Sequence, residues 1–226
     1  MRKASKTDPR ERILSSASEV FASTGFAGAR IDEIAEHAGV NKAMLYYHVG
    51  DKEQLYTAVL TETVERGLAS LNDAIENVDS PSEKLQAIID TLAAFGTSNP
   101  YFIPIMLREI ASGGSSLPDE MLLRMGAIFR LVADVLAKGV SEGAFRSTDP
   151  LLTHVSLIGT TMFLVATQPV RDRVARSAKV PVLQHSPADL ARHIGNLFLH
   201  GLEINVRKPA PPKKKSTKRG TSPRRS

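Results

Sequence analysis

Ile31-Asp32-Glu33-Ile34-Ala35-Glu36-His37-Ala38-Gly39-Val40-Asn41-Lys42-Ala43-Met44-Leu45-Tyr46-Tyr47-His48 is the stretch on which the reading of this chain turns. Its spacing predicts two short helices, 31–38 and 42–48, joined by a tight turn, the layout of a helix-turn-helix. Ile34, Ala35, Val40 and Leu45 supply a small core. Ala35 lets the two helices approach, and Gly39 can take the positive φ that the turn needs. Lys42, Ala43, Tyr46, Tyr47 and His48 are then left on the outer face of the second helix. A short helix with an open N-terminus fits the major groove of DNA. Tyr46 and Tyr47 also admit a plainer reading as core aromatics, and His48 as an ordinary surface histidine.

Helical spacing continues on both sides of this stretch. Asp8-Pro9-Arg10-Glu11 is a helix start, with a cap residue, Pro at the first position and Glu three after the cap. Ile13, Leu14, Ala17, Val20 and Phe21 follow as one stripe, and Gly25 is the expected stop. Asp51 with Gln54 starts a long helix to about Asn77. Ser80-Pro81 opens a fifth, carrying Leu85, Ile88, Ile89, Leu92 and Phe95. Asn99-Pro100 begins a sixth whose start should be frayed or kinked, because Pro104 falls one turn in. A seventh runs from about Pro118 to Glu142, and an eighth from Asp149-Pro150 to Gln168-Pro169. Residues 170–185 read as irregular, with one helical turn as the alternative, and Ser186-Pro187 opens a last helix. With few aromatics and no sustained period-two alternation, the fold class is all-α, with about nine helices.

Composition narrows the function. The chain has 226 residues, 42% hydrophobic and 23% charged, in the range of an ordinary globular protein. It contains no cysteine, which excludes disulfide scaffolds, thiolate metal sites and cysteine nucleophiles. Apolar runs such as Gly159–Ala166 fall short of the ~18 residues that span a bilayer. The basic N-terminus leads into Asp8 and Glu11 rather than an apolar segment, so no signal peptide is expected, and the expected location is the cytoplasm. His193 and His200 share a helix face two turns apart, too far to hold one metal alone. No Gly-rich phosphate loop and no nucleophile elbow occur. No cofactor, no metal and no catalytic residues are expected.

Gly25-Phe26, Ile34-Ala35, Ala38-Gly39-Val40, Leu45-Tyr46-Tyr47-His48, Lys52 and Leu55 together resemble the amino-terminal domain of TetR-type transcriptional regulators. The resemblance covers roughly residues 9–56. Arg30 stands where a Ser or Thr is usual in that family, and Val49 where an aromatic is common. The resemblance implies a DNA-binding helix-turn-helix domain over residues 1–52, whose first few residues are flexible, and a helical ligand-binding and dimerisation domain over 53–208. It implies that Lys42 and Ala43 face base edges and that Tyr46, His48, Lys52 and Arg30 contact phosphates or sugars. Tyr47 would meet either backbone or a base edge. It further implies a pocket enclosed by helices five to eight, pairing of the last two helices between subunits, and a small-molecule effector. The expected partners are a palindromic DNA duplex, an effector and a second copy, with no membrane.

Within that frame Tyr101, Phe102, Met106, Met125, Phe129, Met162 and Phe163 are candidates for the pocket, or for plain core. Leu190, Ile194, Leu197, Phe198 and Leu202 form the stripe of the last helix and are candidates for the subunit interface. The function expected is a ligand-responsive repressor. Two rivals are a non-specific nucleoid-type DNA binder using the basic tail and an all-helical enzyme.

Charge separates sharply along the chain. From Arg207 onward there are nine basic residues and no acidic one, whereas residues 53–206 carry a balance of −5. Residues 209–226 are rich in Pro, Ser and Lys and are expected to be disordered. If this tail neutralises phosphates beside the operator, its removal takes away seven charges. The slope of log K against log [salt] scales as about −0.9 per phosphate neutralised, so it should become shallower by roughly three units if half of them engage. Titrating intact and truncated protein at several salt concentrations checks this, and identical slopes would exclude the tail from DNA binding.

Overall fold

Side-chain caps set most of the helix starts. In the computed structural model, which describes residues 8–180 and 185–204, Asp8 accepts from the Arg10 amide ahead of α1 (Pro9–Gly28). Arg30 precedes α2 (Ile31–Ala38) without a side-chain cap, and Asn41 caps α3 (Lys42–Val49). Asp51 and Gln54 form a reciprocal capping box at the start of α4 (Lys52–Glu76). Ser80 caps α5 (Pro81–Ser98) and Asp149 caps α8 (Pro150–Ala166), each with Pro in the first turn. Between them lie α6 (Phe102–Ala111) and α7 (Asp119–Ser141). α9 (Gln168–Ala178) follows, and Ser186 with Asp189 boxes the start of α10 (Pro187–Leu202). The expected flexible N-terminal residues and the basic tail at 209–226 lie outside the described residues.

Two expectations about helix ends need adjusting. Gly25, with φ 73° and ψ 174°, does break the first helix as expected, but a further turn carries on to Gly28. Pro169 read as a stop, with 170–185 irregular; instead it occupies the first turn of α9, where a missing N–H costs nothing. The described residues therefore form ten helices. α9 leaves α8 at a 51° bend and has no buried residue. No single helix among the described residues is long and apolar enough to cross a membrane, and only the bent α8–α9 pair reaches that length together.

Two buried clusters organise the packing. The first joins α1, α2, α3 and the N-terminal half of α4, through Ile13, Phe21, Ile34, Leu45, Leu55 and Leu60, to Ile105, Met106 and Met121 of α6 and α7. The second joins the far end of α4 to α5, α7, α8 and α10, with Leu85, Ile88, Val132, Leu157 and Ile194 at its centre. α4 spans about 37 Å and belongs to both. The core thus does not divide at residue 52. Phe145 anchors the far end: its backbone pairs with Glu203, and its ring packs over Gly139.

A Cβ at Gly139 would lie 2.0 Å from the Phe145 ring, so the close approach of α7 to that ring requires glycine. Gly139→Ala should destabilise the protein by about 1–3 kcal/mol through overpacking. A urea titration followed by far-UV circular dichroism measures this, and an unchanged midpoint would mean that the Phe145 ring moves aside freely.

Candidate functional site

The turn between α2 and α3 follows from Gly39. Its φ of 64° and ψ of 38° close the C-terminus of α2, with its amide donating to the carbonyls of Ala35 and Glu36. Asn41 then accepts from the Met44 amide at 2.8 Å, which starts α3. Leu45 is fully buried and fixes the rotation of this helix. That rotation leaves Tyr46 44% and Tyr47 86% exposed, so neither is a core aromatic. The Tyr47 ring meets the half-buried His48 ring edge-on at 5.2 Å. Lys42 and Ala43 are exposed at the helix start, and Arg30 is exposed at the start of α2.

Charge on this face is arranged locally. Lys42 Nζ lies 2.8 Å from Asp32 Oδ1. The hydrogen bond holds the Asp32 carboxyl below its usual range and the Lys42 ammonium above its own. Both side chains are more than half exposed, so the pair is easily opened by a competing phosphate or base edge. Lys52, expected to anchor a phosphate, makes contacts of its own within the chain. Its ammonium donates to the Ala27 carbonyl at 3.2 Å and sits 4.8 Å over the Phe26 ring, closing the end of α1 against α4.

Aromatic and charged side chains join this head to the body. Phe21, Phe26 and Tyr56 form an aromatic cluster, with Tyr56 4.8 Å from Phe21 and 4.9 Å from Phe26. The Tyr56 hydroxyl donates to Glu109 Oε1 at 2.6 Å, and the Ser116 amide donates to Glu109 Oε2 at 3.2 Å. Glu109 is only 4% exposed. Burial and the adjoining carboxylate push the Tyr56 phenol well above its ordinary value, so it stays a donor. Next to Glu109, Arg108 donates to the carbonyls of Ala22 and Ser23, which the break at Gly25 leaves near a helix end. Arg10 and Glu62 pair across α1 and α4.

An apolar cavity of about 130 Å³ lies beneath α4, walled by α5, α6, α7 and α8. Of the seven pocket candidates, Phe102, Met106, Met125 and Met162 line it. Tyr101 lines a separate, solvent-open groove between α1, α4 and α6, Phe163 is 66% exposed, and Phe129 packs edge-on against His154. His154, which the sequence reading passed over, does line the cavity, and its Nδ1 is buried with no hydrogen-bond partner. Val64, Met106 and Met121 belong to the cavity wall and to the head core at once.

The stripe of α10 is used inside the chain. Leu190, Ile194 and Leu202 are buried in the second core, with Phe198 packed partly against it, so they are not free to face a partner. Leu197 remains exposed, at 56%. Exposed apolar side chains lie on α8, at Leu151, Leu152, Val155 and Phe163, and on α7, at Leu122, Leu123, Met125 and Val140. Among the described residues no group of three or more His, Asp or Glu side chains is placed to hold a metal ion.

Comparison with known proteins places this geometry. Residues 13–59 match the bacterial regulatory proteins of the tetR family, and residues 81–178 match a tetracyclin repressor-like C-terminal domain. The transcriptional repressor NicS of Pseudomonas putida is 30% identical over 155 residues, which cover 66% of this chain and 71% of NicS. The chain belongs to the TetR family. It is a DNA-binding transcriptional regulator and not an enzyme. TetR-family regulators bind operator DNA as homodimers and respond to small-molecule effectors. The fold matches the ketosteroid transcriptional regulator KstR2 of Mycobacterium tuberculosis with a TM-score of 0.71 at 22% identity, covering 88% of this chain and 97% of that one. It also matches FadR of Bacillus subtilis, solved with stearoyl-CoA, with a TM-score of 0.69 at 18% identity over 84% and 98% of the two chains.

In this TetR-family chain the Tyr56–Glu109 bond should contribute to stability as well as to the junction. Tyr56→Phe leaves a buried carboxylate oxygen short of a donor, at a cost of about 1–3 kcal/mol. Chemical denaturation of the variant measures it; a change below about 0.5 kcal/mol would mean that another donor takes the place of the phenol.

Proposed function

We propose that this regulator is a cytoplasmic repressor that holds a palindromic operator as a homodimer and releases it when a small molecule fills the cavity beneath α4. The observation that carries the DNA-binding part is the face of α3, where Lys42, Ala43, Tyr46 and Tyr47 stand exposed around the buried Leu45. α3 is eight residues, about 12 Å long, close to the width of the major groove. Lys42 is placed to donate to guanine acceptors and Ala43 to touch a thymine methyl. Tyr46, Tyr47, His48 and Arg30 surround them as contacts to the sugar-phosphate backbone, which position without specifying. Lys52 keeps an ammonium near the same surface while bracing α1.

Residues 1–52 are then the DNA-contacting unit and 53–208 the effector and pairing unit, with the first half of α4 shared between their cores. Two recognition helices must meet successive major grooves ~34–36 Å apart, so the unit has to pair. The exposed apolar residues Leu152 and Val155 of α8, with Leu197 of α10, are the surface we assign to that pairing. Release follows from shared side chains. An effector that displaces Met106 or Met121 disturbs the cavity and the head core together. α6 carries the disturbance through Arg108 to α1 and through Glu109 to α4, which changes the spacing of the two heads.

Lys42→Ala should weaken binding to the preferred operator by about 1–3 kcal/mol while leaving helix content and dimer intact. Its effect on a random duplex should be smaller. Operators selected from genomic fragments and titrated by fluorescence anisotropy supply the measurement. Equal losses on operator and random DNA would reduce Lys42 to a phosphate contact.

A further inference from the structure

Taking the cavity beneath α4 as the effector site, as proposed above, we infer that the effector is an amphiphile. Its hydrocarbon part fills the cavity, and its anionic head stays outside against Arg66. The cavity wall leads to the first half. It carries no Asp, Glu, Lys or Arg. The hydroxyls of Thr91 and Thr161 are spent on the carbonyls of Ala87 and Leu157, at 2.8 and 2.9 Å. The Nδ1 of His154 is itself buried, and the surface that the cavity offers is almost wholly apolar. A charged group drawn inside would lose its hydration without gaining a partner. At about 130 Å³ the space is close to that of an apolar cavity that holds one six-carbon ring. A larger effector has to extend out of it.

The way out lies between α4 and α5. Gly67 of α4 has no side chain there, and the ring of Phe95 from α5 takes up the space; a Cβ on Gly67 would lie 2.8 Å from that ring. Phe102 of α6 meets Phe95 edge-on at 5.3 Å. Both residues line the cavity, and both also line the surface beyond it. Phe95 borders a cleft of about 240 Å³ between α4 and α5, and Phe102 the groove of about 530 Å³ between α1, α4 and α6. Arg66, Ser98 and Asn99 belong to cleft and groove alike.

Arg66, next to Gly67 on α4, is the one charged side chain of the cleft. It is exposed, and its guanidinium donates to the Thr63 hydroxyl at 3.3 Å. Among the described residues it enters no ion pair, whereas Arg10, the other cation of the groove, is neutralised by Glu62. Asp8 and Glu11 line the groove from α1 but take no part in the cleft. A head that emerges past Phe95 therefore meets a guanidinium first, and its planar fork of donors suits a carboxylate or phosphate. The effector class is a single-ring or medium-length aliphatic anion.

Three probes with one chain and different heads test this on the full chain by NMR titration: octanoate, 1-octanol and octylammonium. Four of the six methionines, Met106, Met121, Met125 and Met162, line the cavity, so their methyl resonances report the hydrocarbon while the affinity reports the head. Arg66→Gln should weaken octanoate about five- to tenfold and leave 1-octanol unchanged. Arg66→Lys, which keeps the charge, should retain most of the octanoate affinity. In the unaltered protein octylammonium should bind more weakly than octanoate. Unchanged octanoate affinity in Arg66→Gln, an equal loss of 1-octanol, or octylammonium as tight as octanoate would overturn the inference, while shifted methionine methyls would keep the cavity as the effector site. Methionine methyls that none of the three probes moves would remove the cavity itself from that role, and this inference with it.

Discussion

Glu109 sits where the two halves of this regulator meet, and its burial is the constraint on which the rest of the junction depends. A carboxyl group withdrawn from water needs donors on both oxygens, and it has them: the phenol of Tyr56 and the amide of Ser116. Those partners come from α4 and from the loop after α6, so satisfying one side chain ties three segments together. Arg108, one residue earlier, satisfies carbonyls of α1. A single turn of α6 thereby holds α1 and α4, the helices on either side of the helix-turn-helix. Its neighbours Phe102, Ile103 and Met106 face the cavity. The cavity wall and the core of the head are joined by one short helix.

The parts of this design that were legible in the sequence are those governed by local chemistry. Asp8, Asp51, Ser80, Asp149 and Ser186 announce helix starts because each cap satisfies amides within three residues of itself. Gly39 marks its turn because its backbone angles exclude most other residues. The outer face of α3 was readable for the same reason, since burying Leu45 decides which neighbours remain outside.

What was not legible depends on long-range partners. Pro169 is equally good as a stop and as a first-turn residue, and only the following fold selects α9. The stripe on α10 demands a partner without saying which; α5 of the same chain takes most of it, leaving Leu197 outside. Lys52 has the spacing of a phosphate contact, and its bond to the Ala27 carbonyl and its place over the Phe26 ring are further contacts that only the packing of α1 reveals. His154 gave no sign, because a lone histidine in an apolar run does not show that its helix turns it into a cavity wall. Tyr101 and Phe163 show the converse: aromatic character at helical spacing selects candidates, but not the side of the helix on which a cavity forms.

The break in α1 at Gly25 has an evolutionary corollary. Beside that break the carbonyls of Ala22 and Ser23 accept from Arg108, a side chain of α6 that lies 86 and 85 residues further along the chain. The head core likewise borrows Ile105, Met106 and Met121. A reading head excised at residue 52 would lose its cation, the phenol of Tyr56 and a wall of its core at one stroke. Recombination that grafts a new head onto this body has to bring compatible stretches of α4 and α6 with it.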